Sequence, residues 1–418
     1  YNDLWFNQNI SFAGNTSFQY LQLNPLKVGN ASITDSENIT QKWLDNDYYV
    51  VTLGLNYQTD VTTLNFGGLY SKYVGDHFGN LIWGQKIGDT SPNHKFYENR
   101  GVKTEGSFFA KLSHTFSNKF TSFLDLQVRS INYVVTGIIA GPNTFSVDDN
   151  FLFFNPKAGL TYNLSPNGSL YFSYSKAQRE PNRTDYENGT PKPEKLDDFE
   201  LGWRFKTSKL QAQTNVYWME YKDQLVLTGA IDEVGAPIRQ NVGKSRRIGI
   251  ELDFKVRLNS NWLWQPNIAI SSNQNLDFYF KRDGFLKNLG KTQLAYSPNF
   301  VGGSAIVFTP STGVQIGFLS KYVSRQYMGN IDSENSTLDA YFVNDLNAVF
   351  TWNPNKWLSE IQWSFIINNI FNIKYESNGY FYTYDDDFST PGQVKTIEGA
   401  GYYPQAGINF LTGLSLRF

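Results

Sequence analysis

The stretch Arg247-Ile248-Gly249-Ile250-Glu251-Leu252-Asp253-Phe254-Lys255-Val256-Arg257-Leu258 decides how the rest of the chain is read. Side chains of a strand alternate between its two faces. Ile248, Ile250, Leu252, Phe254, Val256 and Leu258 therefore share one face, and Arg247, Glu251, Asp253, Lys255 and Arg257 share the other. Alternation alone leaves two architectures open. A soluble sandwich buries the apolar face, whereas a membrane barrel turns it to lipid and keeps the charges around a wet interior.

Composition narrows the choice. Aromatic residues make up 17% of the 418, yet mean hydropathy is -0.41, which suits strands that are greasy on one side only. No apolar run approaches the ~18 residues of a membrane helix; the longest, Tyr133–Ala140, is too short. A net charge of -2 implies no nucleic-acid partner. The absence of cysteine excludes thiolate metal sites, cysteine catalysis and disulfide scaffolds.

Period-two segments and their turn residues predict about sixteen strands, running from Leu4–Gly14 to Pro404–Phe418. Among them are Asn46–Gln58, Val61–Val74, Lys103–Ser117, Gly168–Arg179, Leu196–Lys206, Lys209–Lys222, Gln240–Asn259, Asn261–Phe280, Gln293–Thr309, Thr312–Tyr327 and Leu358–Tyr375. The connections alternate in length. Tight turns carry breaker residues, as in Ser117-Asn118-Lys119, Ser165-Pro166-Asn167-Gly168, Asn259-Ser260-Asn261, Thr309-Pro310-Ser311-Thr312 and Asn353-Pro354-Asn355. Long polar segments separate them: Asn15–Asp45, Gly75–Val102, Glu180–Lys195 and Glu376–Tyr403. Short turns at one end and long loops at the other predict an all-β, antiparallel, meandering transmembrane barrel.

The charged faces support this reading. Phe199, Leu201, Trp203 and Phe205 oppose Glu200, Gly202 and Arg204, and Phe120–Arg129 repeats the pattern. A soluble core would have to pair or expel such charges. Arg or Lys facing lipid at mid-bilayer would cost ~2–4 kcal/mol, so the charged face belongs to the interior. Tyr57, Trp203, Tyr217, Trp218, Trp262, Trp264, Trp352 and Trp357, near strand ends, are expected in interfacial girdles. In the last strand Ile408, Phe410, Thr412, Leu414, Leu416 and Phe418 share one face.

Nothing argues for catalysis. His77, His94 and His114 have no metal-ligand spacing and are expected to be solvated or structural. Asp385-Asp386-Asp387 lacks the spacing and glycine of a calcium loop, so a solvated acidic loop is expected, with no metal and no cofactor. Asn-x-Ser/Thr sequons at Asn9, Asn15, Asn30, Asn38, Asn167, Asn182, Asn188 and Asn335 are compositional. No nucleophile elbow or phosphate loop is present.

Ala177-Gln178-Arg179-Glu180-Pro181-Asn182-Arg183, followed by Pro191-Lys192-Pro193-Glu194-Lys195-Leu196-Asp197-Asp198-Phe199-Glu200-Leu201-Gly202, resembles the mid-barrel motif of TonB-dependent outer-membrane receptors. Asn368-Asn369-Ile370-Phe371-Asn372-Ile373-Lys374-Tyr375 resembles the family's penultimate-strand signature. Tyr402-Tyr403-Pro404-Gln405-Ala406-Gly407 with the terminal Phe418 resembles its closing strand, and the flavour is that of Bacteroidetes-type receptors. The resemblance implies a barrel of about 22 strands, an N-terminal plug not found in these 418 residues, and residues 1–418 as the C-terminal portion of the barrel. It also implies TonB-powered import of a scarce large ligand: an iron–siderophore, haem, vitamin or oligosaccharide. The implied partners are outer-membrane lipid, TonB through the plug, the ligand and a surface lipoprotein. Long loops would be extracellular and the C terminus periplasmic. Arg179, Glu194 and Glu200 would lie in or at the mouth of the lumen. A passive sixteen-stranded porin and a structural or adhesive surface barrel remain open at this point.

Overall fold

Alternation becomes strand along most of the chain, in a computed structural model that describes residues 2–91, 93–140, 143–231, 237–354 and 357–418. Tyr1, at the chain start, and Asn355, in a predicted tight turn, lie outside the described residues. Among the described residues, seventeen strands belong to one antiparallel sheet. The chain divides into two units, residues 1–114 with 124–156, and residues 115–123 with 157–418. Among the described residues no helix is long and apolar enough to cross a membrane.

In the first unit, Asn2–Ser17 pairs with Asp35–Gln58, which pairs with Thr62–Gly84, which pairs with His94–Thr115. The predicted loops Asn15–Asp45 and Gly75–Val102 are largely strand. Gly75 pairs with Gly101, Asp76 with Arg100 and His77 with Asn99. Polar residues here occupy both faces, so no alternation announces the pairing. Asn15–Asp45 also holds a small hairpin, Leu26–Val28 with Ala31–Ile33, and a turn that buries Leu21 against Leu81 and Phe96.

In the second unit the strands of the main sheet pair antiparallel in chain order from residue 157 to Asn409–Arg417, while Gln326–Tyr327 with Thr337–Leu338, and Glu376–Asp386 with Lys395–Pro404, form two small sheets of their own. The tight turns are built by side chains. The Thr207 hydroxyl accepts the Leu210 N–H at 3.0 Å, and Asn259 Oδ1 accepts those of Asn261 at 2.9 Å and Trp262 at 3.0 Å. Such short polar side chains imitate a backbone turn.

Three predicted strands have other bounds: one starts late and two end early. Gln293–Thr309 begins only at Phe300, Gln293 closing the preceding strand Phe285–Gln293, because Tyr296 sits at φ 53° and Pro298 follows. Thr312–Tyr327 stops at Val323. Leu358–Tyr375 stops at Asn368, because Asn369 and Asn372 adopt φ 50° and 53°. Asn tolerates this left-handed region because its side chain bonds locally. Asn369 Nδ2 donates to the Ile373 carbonyl at 2.8 Å and its Oδ1 accepts the Ile373 N–H at 2.9 Å. The signature segment is therefore a turn locked by asparagine.

One face of the second unit's sheet is apolar and open. Phe172, Leu201, Val216, Ile250 and Ile270 follow one another across successive strands, and Leu201 is 54% exposed. The indoles of Trp218, Trp262, Trp264 and Trp352 are exposed with them. Tyr217 is a correction. It lies on the opposite, polar face, across from Gly249, so a residue expected in the girdle belongs to the other side.

Candidate functional site

The polar face of the second unit is assembled from glycines and large side chains in register. Gly202 stands across from Tyr171, and a Cβ on it would come within 2.1 Å of the ring. The Tyr171 ring lies flat there, its hydroxyl donating to Asn215 Oδ1 at 3.0 Å. The Arg204 guanidinium sits 4.2 Å from the ring centroid. Gly249 receives Tyr217 in the same way. Glu251 and Asp253, from the stretch that decided the fold, share this face with Asn267. Together they border a cavity of about 400 Å³. A second cavity, of about 750 Å³ at the short-turn end, is bordered by Lys119, Arg204, Gln213 and Asp253. Charged groups here keep water while their hydrocarbon packs on neighbouring rings.

At the long-loop end the strands continue upward and form a packed core of their own. Val226, Val242, Phe278, Phe280, Leu294, Met328, Ile331, Leu338 and Phe381 cluster there, all buried. Each large apolar side chain removed from water contributes ~1.5–3 kcal/mol, so this end is held as firmly as a small domain. Asn330 stitches it: its Nδ2 donates to the Leu227 carbonyl at 2.7 Å, and its Oδ1 accepts the Ala295 N–H at 2.9 Å.

The predicted loop Glu376–Tyr403 is a second correction. It forms a hairpin of Glu376–Asp386 with Lys395–Pro404. Phe381 faces the core, and Glu398 accepts from Arg282 at 2.6 Å, Ser333 at 2.5 Å and Asn335 at 3.1 Å. Burial alone would raise the Glu398 carboxyl, but these hydrogen bonds outweigh it and hold it below its ordinary value. Asp283 and Thr396 bond reciprocally, at 2.7 and 3.1 Å. That Thr396 N–H is the chief cause of a lowered Asp283 carboxyl. Asp386 is lowered chiefly by the backbone N–H of Ser389. The acidic run is thus tied into the hairpin: Asp385 also pairs with Lys281 at 3.3 Å.

The other face of this hairpin carries a row of rings. Tyr380, Tyr382 and Tyr384 have centroids 6.3 and 6.5 Å apart and interplanar angles of 19° and 17°. Gly401 and Gly399 stand across from Tyr380 and Tyr382. A Cβ on either would come within 2.4 Å of the ring it faces, so the rings lie flat and open. The Tyr-x-Tyr-x-Tyr and Gly-x-Gly spacings could have found this platform in the sequence, given the pairing.

Arg179 and Glu194 are brought together, at 2.5 Å. Glu194 is buried and also accepts the Leu225 N–H at 2.6 Å. Between them the helix Arg183–Glu187 begins with a capping box of Asn182 and Asp185. Asp185, itself buried, is gripped by Arg239 at 3.0 and 2.9 Å. This mid-chain motif is a brace between strand ends. Glu200 stands apart from that brace, further along the same strand and across from Ser173 and Tyr217. His94 Nε2 lies 3.0 Å from the Leu21 carbonyl and His114 Nδ1 lies 2.8 Å from the Thr62 hydroxyl. Among the described residues no group of three or more His, Asp or Glu could hold a metal ion.

The chain is 24% identical over 189 residues to a pesticin receptor of Yersinia enterocolitica, covering 45% of this chain and 26% of that protein. It is 21% identical over 301 residues to the catecholate siderophore receptor Fiu of Escherichia coli, covering 63% of this chain and 34% of that protein. It thus spans about a quarter to a third of the length of these curated relatives. The crystal structure of the siderophore receptor PiuA from Acinetobacter baumannii superposes with a TM-score of 0.61 at 15% identity, over 91% of this chain and 57% of that one. That likeness shows the fold. Residues 1–373 match the family model described as TonB dependent receptor-like, beta-barrel, which makes this chain a member of the TonB-dependent receptor β-barrel family.

Proposed function

We propose that residues 1–418 are the C-terminal barrel portion of an active importer of the bacterial outer membrane, with its plug outside this sequence. The imported ligand is scarce and too large for a porin: an iron–siderophore, haem, vitamin or oligosaccharide. Long loops face outward and the C terminus faces the periplasm. One observation carries this reading. The long-loop end is a packed, hydrogen-bonded structure presenting an open tyrosine platform, whereas a sieve needs only a wet hole. Loops on a rigid scaffold are where specificity is placed.

In this scheme the ligand settles on the loop structure, and force transmitted by TonB to the plug opens a path along the polar face. Arg179 and Glu194 hold the mouth, and Glu200 lines the path where it can meet the plug. A surface lipoprotein is a further partner. The test is uptake by cells carrying the full-length receptor, using a panel of radiolabelled ligands. Accumulation should stop when TonB is deleted or the proton-motive force is collapsed. In a planar bilayer the intact receptor should be closed. Steady ionic current, or uptake indifferent to the proton-motive force, would overturn the proposal.

A further inference from the structure

We propose that the apolar face of the first unit carries a binding site for one anionic, phosphate-bearing membrane lipid, with an acyl chain lying in a furrow floored by glycine. Three strands, Asp35–Gln58, Thr62–Gly84 and His94–Thr115, bring successive rows of side chains onto this face. Leu53, Gly68 and Phe108 lie in one row, and Val51, Tyr70 and Gly106 in the next. The two glycines are diagonal neighbours, and the missing side chains leave a channel of about 590 Å³ between the ridges of Leu53 and Phe108. This is the size of a small-molecule site, about 300–1,000 Å³. The floor is unobstructed. A Cβ on Gly106 would meet nothing within 4 Å, and one on Gly68 only the Ser107 carbonyl, at 3.3 Å. The walls are exposed hydrocarbon: Leu53 is 69% and Phe108 56% exposed.

The occupant follows from where the furrow lies. It lies on the apolar face of the first unit's own strands, the kind of face that a barrel of this family turns to lipid, so the medium in contact with it is acyl chain. An unfilled channel would forfeit dispersion contacts along its walls, and a chain lying in it gains them. Gly68 and Gly106 together shape one linear slot, suited to one extended chain. The next row beyond Tyr70 is Tyr49, Lys72 and Thr104. Lys72 is exposed at the head of the furrow, on the long-loop side, where an aromatic ring marks the interface. Its ammonium meets the phosphate of the lipid whose chain fills the slot, and favours a headgroup with no cation of its own to neutralise that phosphate, as basic residues near a membrane surface attract anionic headgroups.

The full-length receptor, extracted in mild detergent and doped with phosphatidylglycerol or phosphatidylcholine, tests this by native mass spectrometry. The wild type should retain one phosphatidylglycerol through activation that strips bulk lipid. Gly106→Phe, which fills the slot at a position with open space, should lower the retained fraction about tenfold. Lys72→Gln should erase the preference for phosphatidylglycerol over phosphatidylcholine. Val216→Phe, on the apolar face of the other unit, should leave retention unchanged. Heat-modifiable migration on gels verifies that each variant has folded. Equal retention by wild type and Gly106→Phe overturns the site. A detergent-stable dimer lost in Gly106→Phe overturns it too, since a second copy would then be the occupant.

Discussion

Asn369 holds its φ of 50° while its own N–H donates to Asp345 at 2.7 Å and its amide serves both Ile373 and Ala406. Asn369→Ala keeps the left-handed backbone and removes the side-chain partners that make it tolerable. The expected cost is about 2–3 kcal/mol, read from urea titration of the refolded barrel. Glu398, Asp283 and Asp386 make the hairpin a titratable clasp. Each has a carboxyl held below its ordinary value. A group depressed in the folded state contributes stability above its unfolded pKa, and that stability is lost as pH falls through the folded value. Asp332, raised by burial, opposes them, because protonation favours its folded environment. The three depressed groups outnumber it. Protection factors for hydrogen exchange in Glu376–Pro404, taken relative to the intrinsic rate at each pH, should be high at neutral pH and fall below pH ~4, the ordinary carboxylate range. Glu398→Gln should reduce that pH dependence and leave Arg282 without its anion.

Elements were legible where lipid imposes a rule. Gly168–Arg179 was predicted with the observed boundaries, because inside the bilayer one face must be apolar and the other wet. Past the bilayer both faces can be polar or both packed, and the rule lapses. That is why Gly75–Val102 and Glu376–Tyr403 were expected as loops although each pairs as strands. Tyr217 shows the same limit for one residue: aromatic character suggests a girdle, and only register shows it resting on Gly249. The glycine sockets give a direct test. Gly202→Val inserts a branched side chain where the Tyr171 ring lies, and strand propensity alone would favour valine. The barrel should nevertheless be destabilised by about 1–3 kcal/mol from overpacking, measured as a lower urea midpoint. Gly202→Val combined with Tyr171→Ala should recover much of the loss.

On the scale of the whole molecule, the sequence carried fold and family further than it carried the site. Patterning and the motifs at Arg179–Gly202 and Asn368–Tyr375 pointed to the family that residues 1–373 match. The Arg179–Glu194 pair is adjacent across a ladder of neighbouring strands, so a local motif could suggest it. The hub at Glu398 joins Arg282, Ser333 and Asn335, and the core joins Val226 to Phe381. Those meetings depend on long-range docking for which no local period exists.

With the long-loop end outward, as proposed above, the ladders that replace the expected loops have a consequence for the cell that displays them. Proteases cut where chain can be pulled free into an extended cleft, and flexible loop tips are their usual entry. Asp35–Gln58 and Thr62–Gly84 run 24 and 23 residues, against the ~9–11 that a membrane crossing uses. Much of each strand therefore lies beyond the bilayer with its backbone already engaged by a neighbour. A receptor built this way can keep large recognition surfaces in a hydrolase-rich environment and offer digestive enzymes little loose chain to seize.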